Sequence, residues 1–385
     1  MANADKLLQT LVSKKRLKDL KVDTPIAIKP AKKRVTMKLL GGKKMTVTID
    51  EITATRNNGA LGGWADVEVL GSELSGGRLL SGVVLSFTPD TAKGVYDLSA
   101  TIDSGAASVE IEQLAGASYT IDSRNEAKLR GKDDGSAVSS GAAPKALAPT
   151  VSKRSGIRYV SIVVGYTKKM GSAKSAKKKI RKAIAQMNSA LKNSGIEGRK
   201  LRVKLVGTKQ VDYKQNADMG KDLNSLKKGT GTLGAVKKLR KSKKADLATL
   251  MVPKATSVCG IAYVLQNKKG DPSVAYSVAT PAAGCPYTFA HELGHSFGAS
   301  HALQDGGNGL FADSHGHKVS NRARTLMAYA CSDHSCPRVL QFSNPKVDMT
   351  GRGAAVKSGV KGKSNNARTV SYSAPKIDGY NGRLK

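Results

Sequence analysis

His291-Glu292-Leu293-Gly294-His295-Ser296-Phe297-Gly298-Ala299-Ser300-His301 is the stretch on which the reading of this 385-residue chain turns. Residues four apart on a helix share a face, so His291 and His295 can offer two imidazoles to one ion. Glu292, beside the first of them, can take a proton from water held there, while Gly298 lets the chain turn so that His301 returns as a third ligand. Three protein ligands leave one coordination position open, which separates a catalytic zinc from a structural one: water bound there becomes a nucleophile near neutral pH. The expectation is therefore one catalytic Zn2+ on His291, His295 and His301, with Glu292 as the base of a hydrolytic reaction. All six histidines fall between His291 and His334. Because three ligands suffice, His315, His317 and His334 read as loop residues.

Upstream of this helix, residues 158–167 alternate as a strand. Residues 172–193 then carry Ile180, Ile184, Met187 and Leu191 on one helical face, and Gly195 stops the helix. Residues 201–206 and 245–252 read as strands around a broken helix at 219–241, and 260–265 and 274–279 add two extended segments. The strand–helix alternation predicts an α/β layer with a mostly parallel sheet. Further upstream, residues 131–156 have the Gly, Ser, Ala and Pro composition of a linker and contain Lys153-Arg154, a dibasic pair open to a trypsin-like protease. Short alternating stretches at 45–49, 65–69, 82–87, 96–102, 108–111 and 118–121 predict a small β-rich domain over 34–130. Residues 1–33, rich in lysine and broken by Pro25 and Pro30, read as a basic flexible arm. Residues 157–385 are left as the domain that holds the site.

The formal net charge is +35. Such an excess attracts nucleic acid, anionic surfaces or acidic polypeptides without choosing among them. It is uneven, for residues 50–122 carry three basic side chains against eleven acidic ones. No run approaches the roughly 18 apolar residues of a membrane-spanning helix. Residues 7–12 are too short and polar, and too quickly followed by Lys14, Lys15 and Arg16, for a secretory leader. Four cysteines, Cys259, Cys285, Cys331 and Cys336, allow two disulfides or four buried thiols.

HELGHSFGASH followed by TLMAY, with Met327 placed to underlie the metal, resembles the metzincin clan. CGIAY from Cys259, TLMAYAC, CPRVLQFSNP from Cys336 and the closing NARTVSYSAP are similar, within that clan, to bacterial reprolysin-like and peptidyl-Asp metallopeptidases, over roughly residues 156–381. The resemblance implies an α+β, zincin-like catalytic domain with a mixed five-stranded sheet and an active-site helix, here preceded by the small β-rich N-terminal domain. It implies disulfides Cys259–Cys285 and Cys331–Cys336, and it places Tyr329 near the metal or the oxyanion of the tetrahedral intermediate, although core packing would also account for that residue. The residue after His301 is Ala302, where such enzymes often carry an acid. The N-terminal domain resembles a propeptide in position. It lacks cysteine, so a thiolate latch on the metal is excluded for it.

The function expected is that of a monomeric zinc endopeptidase acting on polypeptides, acidic ones by preference, made as a zymogen and working outside the cell or on a particle. Two other readings compete with it. The lysine runs at 174–182 and 237–244 would suit a nucleic-acid-binding or particle-associated structural protein, but few aromatics accompany them. A zinc-binding interaction module without turnover would have no need of Glu292.

Overall fold

The structure, a computed structural model, describes residues 4–13, 17, 26–38, 44–56, 65–75, 78–90, 95–103, 108–114, 117–124, 135–137, 157–196, 200–256, 258–282, 285, 287–332, 336–350 and 354–381. The chain divides into two compact units, one of residues 1–125 with 350–354, the other of 126–349 with 355–385.

In the first unit, helix α1 (Ala4–Leu11) precedes eight strands: β1 (Ile26–Ala27), β2 (Arg34–Lys38), β3 (Lys44–Arg56), β4 (Ala65–Ser75), β5 (Arg78–Asp90), β6 (Val95–Asp103), β7 (Ser108–Leu114) and β8 (Ala117–Arg124). They form one antiparallel sheet in which β3 to β8 follow chain order. The stretches read as strands from their alternation lie within β3–β8. Register explains the core: Val83, Leu85 and Phe87 of β5 stand opposite Ile102, Ala100 and Leu98 of β6, and all six are buried. A period-2 pattern puts them on one face.

The expectation of a flexible arm over residues 1–33 differs from what is found. Leu8, Leu11, Leu17 and Ile28 are buried in the same cluster as Val67, Phe87 and Leu98. Ala4, Leu8 and Leu11 recur at helical spacing. The surrounding lysines hide that stripe in a reading weighted by composition.

In the second unit, β10 (Arg158–Thr167), β11 (Leu201–Val211), β12 (Leu247–Met251) and β14 (Tyr276–Ala279) are parallel, and β13 (Gly260–Tyr263) runs antiparallel to β14. This is the expected mixed five-stranded sheet. Val160, Ile162 and Val164 of β10 pack on one side with helices α2 (Ala173–Asn193), α5 (Thr288–Ser296) and α6 (Asn366–Ile377). Val163 faces the opposite side, with α3 (Met219–Lys228) and α4 (Gly234–Ser242). Helices on both faces account for the unbroken burial of β12, which reads as a continuous apolar run. Ser172 caps α2 by accepting from the Ser175 N–H at 3.2 Å. No helix among the described residues is long and apolar enough to cross a membrane.

A sixth strand, β9 (Gly135–Ala137), pairs in parallel with β13 along its other edge, Ile261 opposite Gly135 and Tyr263 opposite Ala137. These three residues fall inside the stretch read as a linker. Gly-Ser-Ala has no strand signature, and such pairing is directed by the backbone of the neighbour instead of by side chains. Lys153-Arg154 lies outside the described residues.

Both disulfides implied by the resemblance are present, Cys259–Cys285 and Cys331–Cys336. The first ties the start of β13 to the segment leading into α5. The buried Arg158–Asp378 pair, at 2.9 Å, fastens the end of α6 to β10.

Candidate metal centre

Helix α5 carries His291, Glu292 and His295, all essentially without exposure to solvent. It ends on Gly298, whose φ of 87° belongs to the left-handed region. The Gly298 N–H donates to the His295 carbonyl at 2.8 Å and the Ala299 N–H to the Gly294 carbonyl at 3.0 Å. This pair of bonds is the Schellman arrangement, in which a residue without a Cβ closes the helix and reverses the chain. The reversal leads into β15 (Ser300–Ala302) and brings His301 back over α5.

One ligand atom from each of His291, His295 and His301 lies within 4.8 Å of the others, and among the described residues this is the group found able to hold an ion. His291 and His301 rings are stacked with centroids 5.4 Å apart, while His295 stands edge-on to both. His291 Nδ1 lies 2.8 Å from the Leu326 carbonyl and His295 Nδ1 2.9 Å from the Ala299 carbonyl. A carbonyl can only accept, so each Nδ1 carries the proton and each Nε2 presents its lone pair. His295 Nε2 sits 3.0 Å from His301 Nε2, a spacing at which two ring nitrogens require a shared proton or a shared cation. Three converging buried imidazoles, two of them oriented by carbonyls, fit a divalent metal of the borderline class.

Met327 lies beneath this site. A Cβ added to Gly294 would come within 2.4 Å of Met327 Sδ, so helix and methionine turn are in direct contact. The Tyr329 ring lies 4.2 Å from the His301 ring, centroid to centroid, and is tilted by 38°. Glu292 faces β13: its Oε1 would be 2.5 Å from a Cβ on Gly260. The base candidate thus stands directly behind the strand that β9 borders.

Three supporting residues were not singled out from the sequence. His315 Nδ1 bonds the His301 carbonyl at 2.9 Å. Asn366, wholly buried at the start of α6, donates to the Ser300 carbonyl at 3.0 Å and accepts from the Ser300 N–H at 3.3 Å. Ser373 of α6 donates to the Phe297 carbonyl at 2.7 Å. All three grip backbone around the turn that delivers the third histidine. The crowding of histidines marked His315, whereas Asn366 left no sign beyond opening the closing helix. His317 is partly buried, which lowers its pKa, and its backbone N–H bonds Thr325. His334 lies outside the described residues.

The family model described as metallo-peptidase family M12 matches residues 158–343. This region, just under half of the chain, is similar to the M12 metallopeptidase domain. That likeness implies a metal, and the three imidazoles are the group among the described residues that could hold it. A peptidyl-Asp metalloendopeptidase of Stenotrophomonas maltophilia is 28% identical over 194 residues, which are 49% of this chain and 44% of the relative. A second of that name, from Xanthomonas campestris, is 29% identical over 44% of this chain and 39% of its own. The chain thus spans less than half the length of these curated relatives. Among solved structures, metalloproteinase-II from Bacteroides fragilis aligns with 78% of this chain and 85% of its own at 14% identity and a TM-score of 0.46.

Proposed function

We propose that the chain is a zinc-dependent endopeptidase whose catalytic part is residues 157–385. The observation that carries this reading is the convergence of His291, His295 and His301 beside the buried carboxylate of Glu292. When bound by the three imidazoles, zinc would polarise the scissile carbonyl and acidify water. Glu292 would take a proton from the attacking water as its oxygen bonds to the carbonyl carbon. It would return that proton to the departing amine as the C–N bond breaks. The Tyr329 hydroxyl would border the oxyanion, and the edge of β13 would align an extended substrate by backbone pairing. The net charge of +35 favours acidic polypeptides, in keeping with the peptidyl-Asp names of the relatives. The two disulfides favour an oxidising compartment, such as the outside of the cell.

The same reading includes latency. β9 occupies the edge of β13 that a substrate strand would use, and residues 34–130 would act as the pro-domain, released by a cut near Lys153-Arg154. The reaction class is tested with casein after limited trypsin treatment, with and without a chelator, alongside Glu292→Gln treated in the same way. Cleavage that the chelator stops, and that falls by three orders of magnitude or so in the variant with its metal content unchanged, is the expected result. Undiminished cleavage by the variant would reject Glu292 as the base.

A further inference from the structure

Asp305 and Lys318 form a largely buried ion pair, their side chains 8% and 15% exposed. Withdrawing two charges from water costs several kcal/mol per ion unless further hydrogen bonds offset it. Here the further bonds all converge on one place. The second Asp305 oxygen accepts the Tyr329 N–H at 2.8 Å, and Lys318 Nζ lies 3.4 Å from the Ala330 carbonyl. From the other side, Arg324 Nη1 donates to the Ala328 carbonyl at 2.8 Å. The peptide unit joining Ala328 to Tyr329 is thus held at its oxygen by a guanidinium and at its N–H by a carboxylate, which fixes the plane from which the Tyr329 side chain departs.

Asp305 ends the short 3-10 turn Leu303–Asp305, which begins two residues beyond His301. The carboxylate therefore joins the segment carrying the third histidine to the methionine turn, whose Tyr329 ring lies against His301. A pair serving stability alone could be replaced by apolar side chains at little cost, whereas one fixing a geometry could not.

We infer that Asp305 and Lys318 are positioning residues that hold Tyr329 in register with the third metal ligand. This rests on the proposed reading of the three histidines as a metal site with Tyr329 at its border. The test loads the full chain with cobalt(II) and records its visible absorption for wild type, Y329F, D305A, K318M, K318R and D305A/Y329F. Metal content and melting temperature are recorded in parallel. D305A and K318M are expected to keep one metal per chain while their cobalt bands move from the wild-type position to that of Y329F. K318R should retain the wild-type spectrum, and the double variant should match Y329F alone. After trypsin treatment, casein turnover in D305A should fall about tenfold in kcat with KM little changed. In the Y329F background the same substitution should have no further effect.

D305A bands unchanged from wild type, D305A and Y329F effects that multiply, or loss of metal in D305A would each overturn the inference. Should D305A fail to fold, K318M against K318R decides it by the same comparison. Wild type without cobalt bands would instead sink the metal reading, and Y329F indistinguishable from wild type would sink the role of Tyr329 and the inference with it.

Discussion

Glu292 owes its place to an absence: Gly260 presents no side chain where one would meet Glu292 Oε1 at 2.5 Å and Thr288 Cγ2 at 2.6 Å. Gly260→Ala should therefore displace the carboxylate and lower kcat about a hundredfold while the histidines keep their metal. Single-turnover rates together with metal analysis check this, and a variant as fast as wild type would show that the carboxylate tolerates movement. His317 gives a pH dependence. Burial lowers its pKa from the ordinary 6.5, so the folded chain favours the neutral ring. The stability it contributes is present above pH 6.5 or so and is lost as pH falls through the lowered value. His317→Gln should flatten the decline of melting temperature between about pH 7 and pH 5, and an unaltered slope would assign that decline to other groups. The three candidate ligands stood out in the sequence because two imidazoles on one helical face and a third beyond a glycine turn fall at fixed offsets. Asp305 and Asn366 did not, since they reach the site across loops that impose no spacing.

At the scale of elements, α2 was legible through the period of its buried stripe, β12 through its continuous apolar run, and α5 through the spacing of its histidines. Helix α1 was overlooked, its apolar stripe diluted among lysines, and β9 has no stripe at all. The pairing of β9 with β13 is a property of two backbones, and it answers to backbone chemistry. Ser136→Pro removes an N–H and fixes φ in the middle of this three-residue strand. The intact variant should cleave casein faster than intact wild type, and the two should become equal after trypsin. Equal rates before trypsin would mean that β9 does not restrain the site.

At the scale of the molecule, each unit has a core of its own, and the metal candidates all belong to the second. A ligand that binds only the folded state stabilises the unit that holds it. Calorimetry with and without chelator should therefore show one transition moving down by several degrees and the other staying in place. Joint movement of both would mean that the units unfold as one. Charge was legible in amount and uneven spread, and the β-rich region, although acidic in its middle, gave its strands away through alternation alone.

Toward the substrate strand proposed to pair with β13, β9 would be a tethered rival, because it belongs to the same chain as the strand beside which it lies. Its effective concentration is on the order of millimolar, whatever the dilution of the protein. A micromolar visitor is outnumbered about a thousandfold before any difference in fit is considered. Severing the tether would alter no contact at the site, yet it would turn a permanent neighbour into one that diffuses away.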